Sequence, residues 1–403
     1  MSEISLHGGD PSVLRRLNSA AALRALRDGG EPTLSELARA IGLSRPTTEG
    51  VLSELADRGL VIEVAPRSGT GLGRPARRYR FRADAGHALG LDIDAHRVQL
   101  FLTDLNGQVI GSHRADLDLT WQPPERLAAV RAAATACLDA AGIHPTDLWA
   151  VAAGTPGVVD ADGRVAYCTV VPGWQGLDLG GELGRSFPCP VLVENDANLA
   201  AMGERWRGIA TGTDDLIYVL AGLHTGVGAV IGGRLHRGRS GAAGEVGMLP
   251  ELGLRDTMAA LTGTPISRPG GEAAAEAVLA AARDGDPQAL TLVKRLAARM
   301  ARGIAAMALA IDPEMIVIGG ALTRTGDRLV DELRRHVRPL CLAPVRIETS
   351  ALGDEAVGIG AVRLALNHID EDVYAVTYVG GATPHTPRCG ASDPRRSPGG
   401  SRR

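Results

Sequence analysis

Aromatic residues, lysine and cysteine are all scarce in this sequence of 403 residues. Phe, Trp and Tyr together make up only 3% of the chain, so its core must be built from Ala, Val, Leu and Ile. Lys294 is the only lysine, and arginine therefore carries nearly all of the positive charge. The five cysteines are scattered and include no CxxC pair, which argues against a disulfide framework and predicts a reducing, cytoplasmic environment.

A long apolar segment is also missing. The sequence has no run of about 20 apolar residues that would span a bilayer, and no apolar run follows a basic start as in a secretory signal. Hydrophobic residues make up 45% of the chain, charged residues 22%, and the formal net charge is −3. These values predict a soluble, cytoplasmic, globular protein of about two or three domains that has no membrane partner.

Residues 34–59 have the spacing of two short amphipathic helices joined by a tight turn. Apolar residues recur at helical intervals before Gly42 and again after Ser44, which is suited to cap the second helix. Pro46 falls in the first turn of that helix, where its missing N–H costs little. This pattern predicts a helix-turn-helix, and a leading helix over residues 11–28 would complete its three-helix core.

Two short strands are predicted next, over residues 60–64 and 78–82, with a glycine-rich hairpin tip between them. Residues 56–82 hold seven arginines against two carboxylates, although the chain as a whole is acidic. A basic wing beside a helix-turn-helix suits the phosphate backbone of duplex DNA. The alternative is a solvated helical hairpin with a charged loop.

The residues predicted to contact DNA form two sets. The first set starts the recognition helix and would face base edges in the major groove, and the second set lies in the wing and would face phosphates or the minor groove. The first set is Ser44, Arg45, Thr47 and Glu49, and the second is Arg67, Arg74, Arg77 and Arg78.

The chain changes character near residue 86. Residues 1–82 are the predicted DNA-binding domain and residues 83–86 a hinge. From 86 to 368, strand and helix signals alternate in two similar halves, which predicts an α/β fold of two lobes. Residues 369–403 are a predicted tail, rich in Pro, Gly, Ser and Arg and disordered from about 381, whose arginines are solvated or add weak DNA affinity.

Five short motifs follow one another in the second region. They are Gly154-Thr-Pro-Gly157, Val171-Pro-Gly-Trp174, Glu194-Asn-Asp-Ala-Asn198, Gly241-Ala-Ala-Gly-Glu-Val-Gly247 and Ile318-Gly-Gly320. On these motifs, residues 1–368 resemble the ROK family (repressors, open reading frames and sugar kinases), in its repressor branch with an N-terminal winged helix, of the xylose-repressor or N-acetylglucosamine-repressor type. The resemblance implies an actin-like (ribonuclease-H-like) ATPase fold whose two lobes enclose a sugar cleft.

Four residues are predicted to contact a sugar: Gly157, Asn195, Asp196 and Glu245. Amide and carboxylate groups suit a polyol, which both donates and accepts hydrogen bonds, and a glycine lets the backbone approach the ligand. The resemblance implies that Asp196 matches the general base of the family's kinases. Two simpler interpretations stay open: Asn195 and Asp196 cap the next helix, and residues 154–157 form a plain turn.

The phosphate loop departs from the family pattern. Kinases of the family carry Asp-Ile-Gly-Gly-Thr-Lys where this chain has Asp92-Ile-Asp-Ala-His-Arg97. The two glycines let backbone N–H groups cradle phosphate, whereas Asp94 places a like charge there. A second phosphate loop is kept as Thr225-Gly-Val-Gly228, and Gly319-Gly320 matches a turn near adenosine, but both can be ordinary turns. ATP binding is therefore not expected, and no catalytic residue is assigned.

The family's structural zinc site is missing as well. The family pattern takes one histidine after the Gly-Glu-x-Gly motif and three cysteines in a CxCGxxGC run. Here Met248 stands at the histidine position, and no cysteine lies between Cys189 and Cys341. Without that tetrahedral set of ligands we expect no zinc and no other cofactor. The missing histidine would also touch the sugar, so an atypical ligand stays open, and Met248 is expected to fill an apolar gap.

These features together predict a DNA-binding regulator, specifically a repressor of sugar metabolism or uptake genes, and not an enzyme. It would bind a palindromic operator as a homodimer or higher homo-oligomer, and a sugar or sugar phosphate beside Asp196 and Glu245 would change the angle between the lobes. Two alternatives remain. One is an active sugar kinase with an added DNA-binding domain, and the other is a ligand-independent regulator whose second domain serves only for dimerisation.

Overall fold

The structure, a computed structural model, describes residues 11–65, 76–222, 225–263 and 270–374. Its N-terminal domain contains α1 (Pro11–Gly29), α2 (Leu34–Ile41), α3 (Arg45–Asp57), β1 (Val61–Val64) and β2 (Arg78–Phe81). The two strands pair antiparallel, with Val61 opposite Phe81 and Val64 opposite Arg78. The predicted winged helix-turn-helix is confirmed in this arrangement.

Local capping explains where α2 and α3 begin and end. The Thr33 hydroxyl accepts a hydrogen bond from the Glu36 N–H at 3.3 Å, and the Glu36 carboxylate accepts one from the Thr33 N–H at 2.7 Å. Gly42 ends α2 in the left-handed conformation, with φ of 69°. The Ser44 hydroxyl caps α3, as predicted, by accepting from the Thr47 N–H at 3.3 Å. The turn between the helices is therefore specified by neighbouring residues.

The segment predicted as a hinge, residues 83–86, packs against the second region. The Leu105 N–H donates to the Ala83 carbonyl at 2.9 Å. A Cβ added to Gly86 would lie 2.3 Å from the Trp149 ring, so only glycine fits there. The hinge prediction is wrong, because these contacts leave no free linker between the domains.

Lobe one is built from residues 87–207. Its elements are β3 (His87–Ile93), β4 (Arg97–Asp104), β5 (Val109–Asp116), α4 (Pro123–Ala141), β6 (Leu148–Thr155), β7 (Val158–Val159), β8 (Val165–Tyr167), α5 (Leu179–Gly184), β9 (Val191–Asn195) and α6 (Asp196–Arg207). Its main sheet has the order β5-β4-β3-β6-β9, in which β3, β4 and β5 are antiparallel and β6 and β9 continue in parallel. Strand β9 passes directly into α6, so residues 195 and 196 lie at the carboxyl end of a parallel strand, where open α/β sheets bind ligands.

Lobe two repeats this plan. Its elements are β10 (Leu216–Ala221), β11 (Thr225–Ile231), β12 (Arg234–Leu235), α7 (Thr257–Thr262), α8 (Gly271–Asp284), α9 (Pro287–Ile311), β13 (Met315–Gly319), α10 (Arg328–Val337) and β14 (Arg346–Thr349). The sheet order is β12-β11-β10-β13-β14, again with an antiparallel half and a parallel half. The predicted α/β fold of two related lobes is confirmed.

Helix α11 (Ala356–Tyr374) returns from lobe two and packs on α6 of lobe one. The approach is close, since a Cβ added to Gly360 would lie 1.8 Å from the Leu199 carbonyl oxygen. Ile369 is buried, and the helix continues to Tyr374. The helix thus extends through residues 369–374, the first part of the region predicted as a tail. Residues 375–403, with the segment predicted to be disordered, lie outside the described residues.

Candidate functional site

The first turns of α3 present exposed polar side chains. Arg45, Thr47 and Glu49 are exposed, whereas Thr48 is buried and its hydroxyl donates to the Ser44 carbonyl at 3.0 Å. The Ser44 hydroxyl also lies 2.8 Å from that of Thr47. The helix thus has a buried face that packs in the domain and a free face with the geometry required to reach base edges. The contribution of each residue to DNA binding stays a prediction.

The wing arginines differ in their surroundings. Arg77 is 63% exposed, and its guanidinium lies 3.3 Å from the Glu63 carboxylate on the neighbouring strand. An exposed pair of this kind is weak, so Arg77 remains available to a phosphate. Arg67 and Arg74 lie outside the described residues.

Arg78 has a structural role. Its Nη1 donates to the Glu31 carbonyl at 2.6 Å and lies 3.9 Å from the Glu36 carboxylate. These contacts turn the half-buried guanidinium toward the connection between α1 and α2. The side chain thus holds β2 against that connection, and the contact of Arg78 with DNA stays a prediction.

All four residues predicted to contact a sugar line one cavity of about 220 Å³. Gly157 follows β6, Asn195 ends β9, Asp196 begins α6, and Glu245 lies in the loop between β12 and α7. The lining mixes polar and apolar side chains and the volume is small for a ligand pocket, which suits a monosaccharide.

Asn195 lines the cavity and also holds Asp196 and the start of α6 in place. Its Oδ1 accepts from the Asn198 N–H at 3.0 Å, and its Nδ2 donates at 3.0 Å both to the Gly157 carbonyl and to Oδ1 of Asp196. The helix-capping interpretation therefore holds for Asn195. Gly157 has a φ of 102°, and an added Cβ would lie 2.3 Å from the Tyr167 carbonyl oxygen, so this position requires glycine.

Asp196 presents to the cavity a carboxyl group whose pKa is raised. Its Oδ1 accepts from the Ala197 N–H at 2.7 Å, and its second oxygen has no hydrogen-bond partner among the described residues. Burial is the main reason that the pKa of Asp196 rises to about 7, and the charges of Asp94 and Glu245 raise it further. Burial also raises the pKa of Glu245. Both groups are thus suited to share hydrogen bonds with hydroxyl groups.

Arg255 and Asp256 also line the sugar cavity, and sequence reasoning missed them. Asp256 adopts a left-handed conformation, with φ of 52°, just before α7. A charged pair in a loop carries no local signal that distinguishes it from ordinary surface residues. Only the folding of this loop over the cavity gives the two side chains a place in the site.

Met248 lines the cavity and is 52% exposed. The expectation that it fills an apolar gap is wrong, because the short turn after Glu245 leaves the side chain at the cavity mouth. Among the described residues, no group of three or more His, Cys, Asp or Glu side chains could hold a metal ion. The absence of zinc stays a prediction from the sequence.

A second cavity of about 140 Å³ lies on the other side of Asp196, around the altered phosphate loop. Six carboxylates line it: Asp92, Asp94, Asp196, Glu272, Glu276 and Asp354. Burial raises the pKa of Asp92 well above its ordinary value, and the charge of Asp94 adds to this effect. A cleft with this excess of negative charge opposes a nucleotide triphosphate.

Side-chain contacts around this second cavity connect the two lobes. His96, in the β3–β4 loop of lobe one, lies 3.8 Å from Glu272 on α8 of lobe two. Arg97 of lobe one lies 3.5 Å from Asp354, and Arg324 of lobe two lies 3.8 Å from the same carboxylate. Arg324 also pairs with Glu276. Protein side chains thus bridge the lobes at the position where the kinase resemblance places phosphate.

Comparison with known proteins agrees with this architecture. Residues 88–368 match the family model "ROK family", and residues 18–64 match "IclR helix-turn-helix domain". The xylose repressor of Caldicellulosiruptor bescii is 23% identical over 396 residues, which covers 89% of this chain and 98% of that protein. The glucokinase of Halalkalibacterium halodurans is 32% identical over 248 residues, covering 53% of this chain and 75% of the glucokinase.

Among solved structures, the crystal structure of a ROK family transcriptional regulator, a homologue of the E. coli MLC protein, shares the fold. It superposes with a TM-score of 0.71 at 21% identity, covering 90% of this chain and 99% of that chain. In the ranges that the structure describes, no helix combines the length and hydropathy needed to cross a membrane.

Proposed function

The chain belongs to the ROK family, and from this premise we propose that it is a repressor that binds operator DNA through its winged domain and a sugar through its kinase-like domain. The helix-turn-helix match and the relatives named xylose repressor support DNA-binding, sugar-related regulation. One observation carries the proposal: the four predicted sugar-contact residues converge on one cavity, while the neighbouring cavity around the altered phosphate loop is lined by six carboxylates and two arginines.

A continuous set of contacts links that cavity to the DNA-binding domain. Helix α6 starts at Asp196 and packs on α11 through Gly360. Near the far end of α11, Asp370 pairs with Arg27 of α1 at 2.7 Å. The Arg27 guanidinium also lies 4.7 Å from the centre of the Phe81 ring in β2 of the wing. A sugar that shifts α6 would therefore change the position of the winged domain, provided it binds the two arrangements with different affinity.

Operator release is the direct test. The operator is first identified by genome-wide mapping of bound DNA. The protein–operator complex is then titrated with D-xylose, D-glucose and N-acetylglucosamine, and fluorescence anisotropy reports the fraction of DNA that stays bound. We expect one of these sugars to release the DNA, and Asp196→Ala to abolish release without weakening DNA binding. Asp139→Ala, an exposed change on α4, is the control. No release by any sugar, together with wild-type behaviour of Asp196→Ala, would refute the sugar-sensing part of the proposal.

The kinase alternative has specific support, because the glucokinase of H. halodurans is 32% identical and Asp196 is retained. ATP turnover with the same sugars, lost in Asp196→Asn, would establish it. A ligand-independent regulator is the other alternative. It predicts that no sugar raises the melting temperature, since only a ligand of the folded state stabilises it. We expect stabilisation without turnover.

A further inference from the structure

A third cavity, larger than the two already described, lies between α6, β12 and α11. Its volume is about 910 Å³, and we call it the arginine groove after the four arginines that line it: Arg205, Arg234, Arg237 and Arg363. Apolar side chains such as Met202 and Leu364 also line it, and among the described residues Glu371 is its only acidic lining residue. The groove therefore combines apolar surface with a strong excess of positive charge.

Two of the arginines are neutralised and two are not. Arg205 pairs with Asp214 at 2.8 Å, and Arg237 pairs with Glu194. Neither Arg234, at the sheet edge, nor Arg363, on α11, forms a hydrogen bond or an ion pair with another described residue. Two guanidinium groups in one cavity thus keep their donors available.

Arg363 is the less hydrated of the two. Its guanidinium lies 5.5 Å from the centre of the Trp206 ring, a contact that shields it from water. Burial lowers its pKa, the carboxylate of Asp370 raises it, and nearby arginines, including Arg205, lower it again. A half-buried cation among other cations is costly unless an anion accompanies it.

We propose that the arginine groove binds a small phosphate-bearing metabolite, with the phosphate between Arg234 and Arg363 and its organic part against the apolar side chains. Guanidinium groups offer pairs of parallel donors that match phosphate oxygens. The groove volume is within the range of small-molecule sites. This inference does not depend on the sugar site, which lies at the opposite end of α6.

The position of the groove gives such a ligand a second route to the DNA-binding domain. Arg363 lies two helical turns before Asp370, which anchors the winged domain through Arg27. A phosphate on Arg363 would reduce the attraction between Arg363 and Asp370 and leave the carboxylate to Arg27 alone. The bound anion would then tighten the link between the domains.

The test uses the full-length protein and inorganic pyrophosphate as the probe, at ionic strength held constant with sodium chloride. Isothermal titration calorimetry compares wild type with Arg234→Glu, Arg363→Gln and Arg295→Glu. Arg295 is exposed on α9 and far from the groove, so its variant controls for net charge. We expect the wild type and Arg295→Glu to bind alike, and either groove variant to bind roughly ten-fold more weakly. Circular dichroism and melting temperature verify that each variant folds.

Two results would overturn the proposal. The first is no binding by the wild type, or equal binding by all four proteins, which would place the anion elsewhere. The second is a change of oligomeric state in Arg234→Glu, measured by light scattering, with unchanged pyrophosphate affinity. That result would assign the groove to a contact between two copies of the chain.

Discussion

Asp196 lines both the cavity of the four predicted sugar-contact residues and the acidic cavity around the altered phosphate loop. The proposed sugar sensing would use its carboxyl group on the first of these two sides. The same surroundings that raise its pKa make the ionised carboxylate destabilising in the folded protein.

Replacing this carboxyl group should therefore change how stability depends on pH. The pKa of Asp196 is raised from 3.8 to about 7, so the folded protein binds the proton more tightly than the unfolded chain does. Stability is then lost as pH rises from about 4 to 7. We expect Asp196→Asn to be more stable than wild type at pH 8 by roughly 2–4 kcal/mol, with a difference that shrinks toward pH 4. Calorimetric melting between pH 4 and 8 measures this, and a constant difference at all pH values would contradict it.

Arg78 gives a second prediction at this scale. Arg78→Ala removes the bond to the Glu31 carbonyl, so we expect it to lower the unfolding free energy by about 1–3 kcal/mol. The matched control is Arg77→Ala on the exposed side of the same strand, which should weaken DNA binding with little loss of stability. Denaturant unfolding and operator titration separate the two effects. Equal stability of the two variants would show that the bond from Arg78 to Glu31 does not stabilise the domain.

The residues predicted correctly and incorrectly from sequence differ in how far away their partners lie. Ser44 was predicted as a cap because its partner, Thr47, is three residues away. The structural contact of Arg78 is not predictable, because its partner Glu31 lies 47 residues earlier in the chain. Met248 was misassigned because its exposure depends on the path of a loop.

The elements show the same distinction. The buried strands were predictable because β3 and β6 are nearly continuous apolar runs, as strands inside a sheet covered on both faces must be. The extent of α11 is not predictable, since its sequence has no sharp amphipathic pattern and its course is set by packing on α6. The contacts that bridge the lobes are also not predictable from the sequence, because His96 and Glu272 are brought together only by the fold.

The contact between α6 and α11 supports a prediction about a single methyl group. Gly360→Ala would place its Cβ 1.8 Å from the Leu199 carbonyl oxygen, so the helices must move apart. We expect the unfolding free energy to fall by about 1–3 kcal/mol and the effect of sugar on DNA binding to weaken. Gly184→Ala, at the end of α5 with open space around it, is the control and should be neutral. Wild-type stability of Gly360→Ala would show that the two helices are not closely packed in solution.

At the scale of the whole molecule, the two domains share one apolar cluster and are not joined by a flexible linker. Leu26 and Phe81 of the winged domain belong to the same cluster as Phe101 of lobe one and Ile369 of α11. Under the proposed function, a change in the kinase-like domain would reach the winged domain through these packed side chains. The ion pair of Arg27 with Asp370 in this junction is half-buried, so it should contribute more to the coupling between the domains than an exposed surface pair would.

Breaking this pair should separate ligand binding from the DNA response. In Asp370→Asn we expect the sugar to raise the melting temperature as it does in wild type, because the cavity is untouched. The ratio of operator affinities with and without sugar should fall at least five-fold toward one, which corresponds to a coupling free energy of about 1 kcal/mol or more. Arg27→Gln should have the same effect, and the double variant should add nothing to either change if the two side chains act through each other. Anisotropy titrations of all four proteins give the double-mutant cycle.

Two outcomes would contradict this prediction. An unchanged affinity ratio in Asp370→Asn would mean that the signal travels through the shared apolar cluster instead. Additive losses in the double variant would mean that Arg27 acts through Phe81 independently of α11.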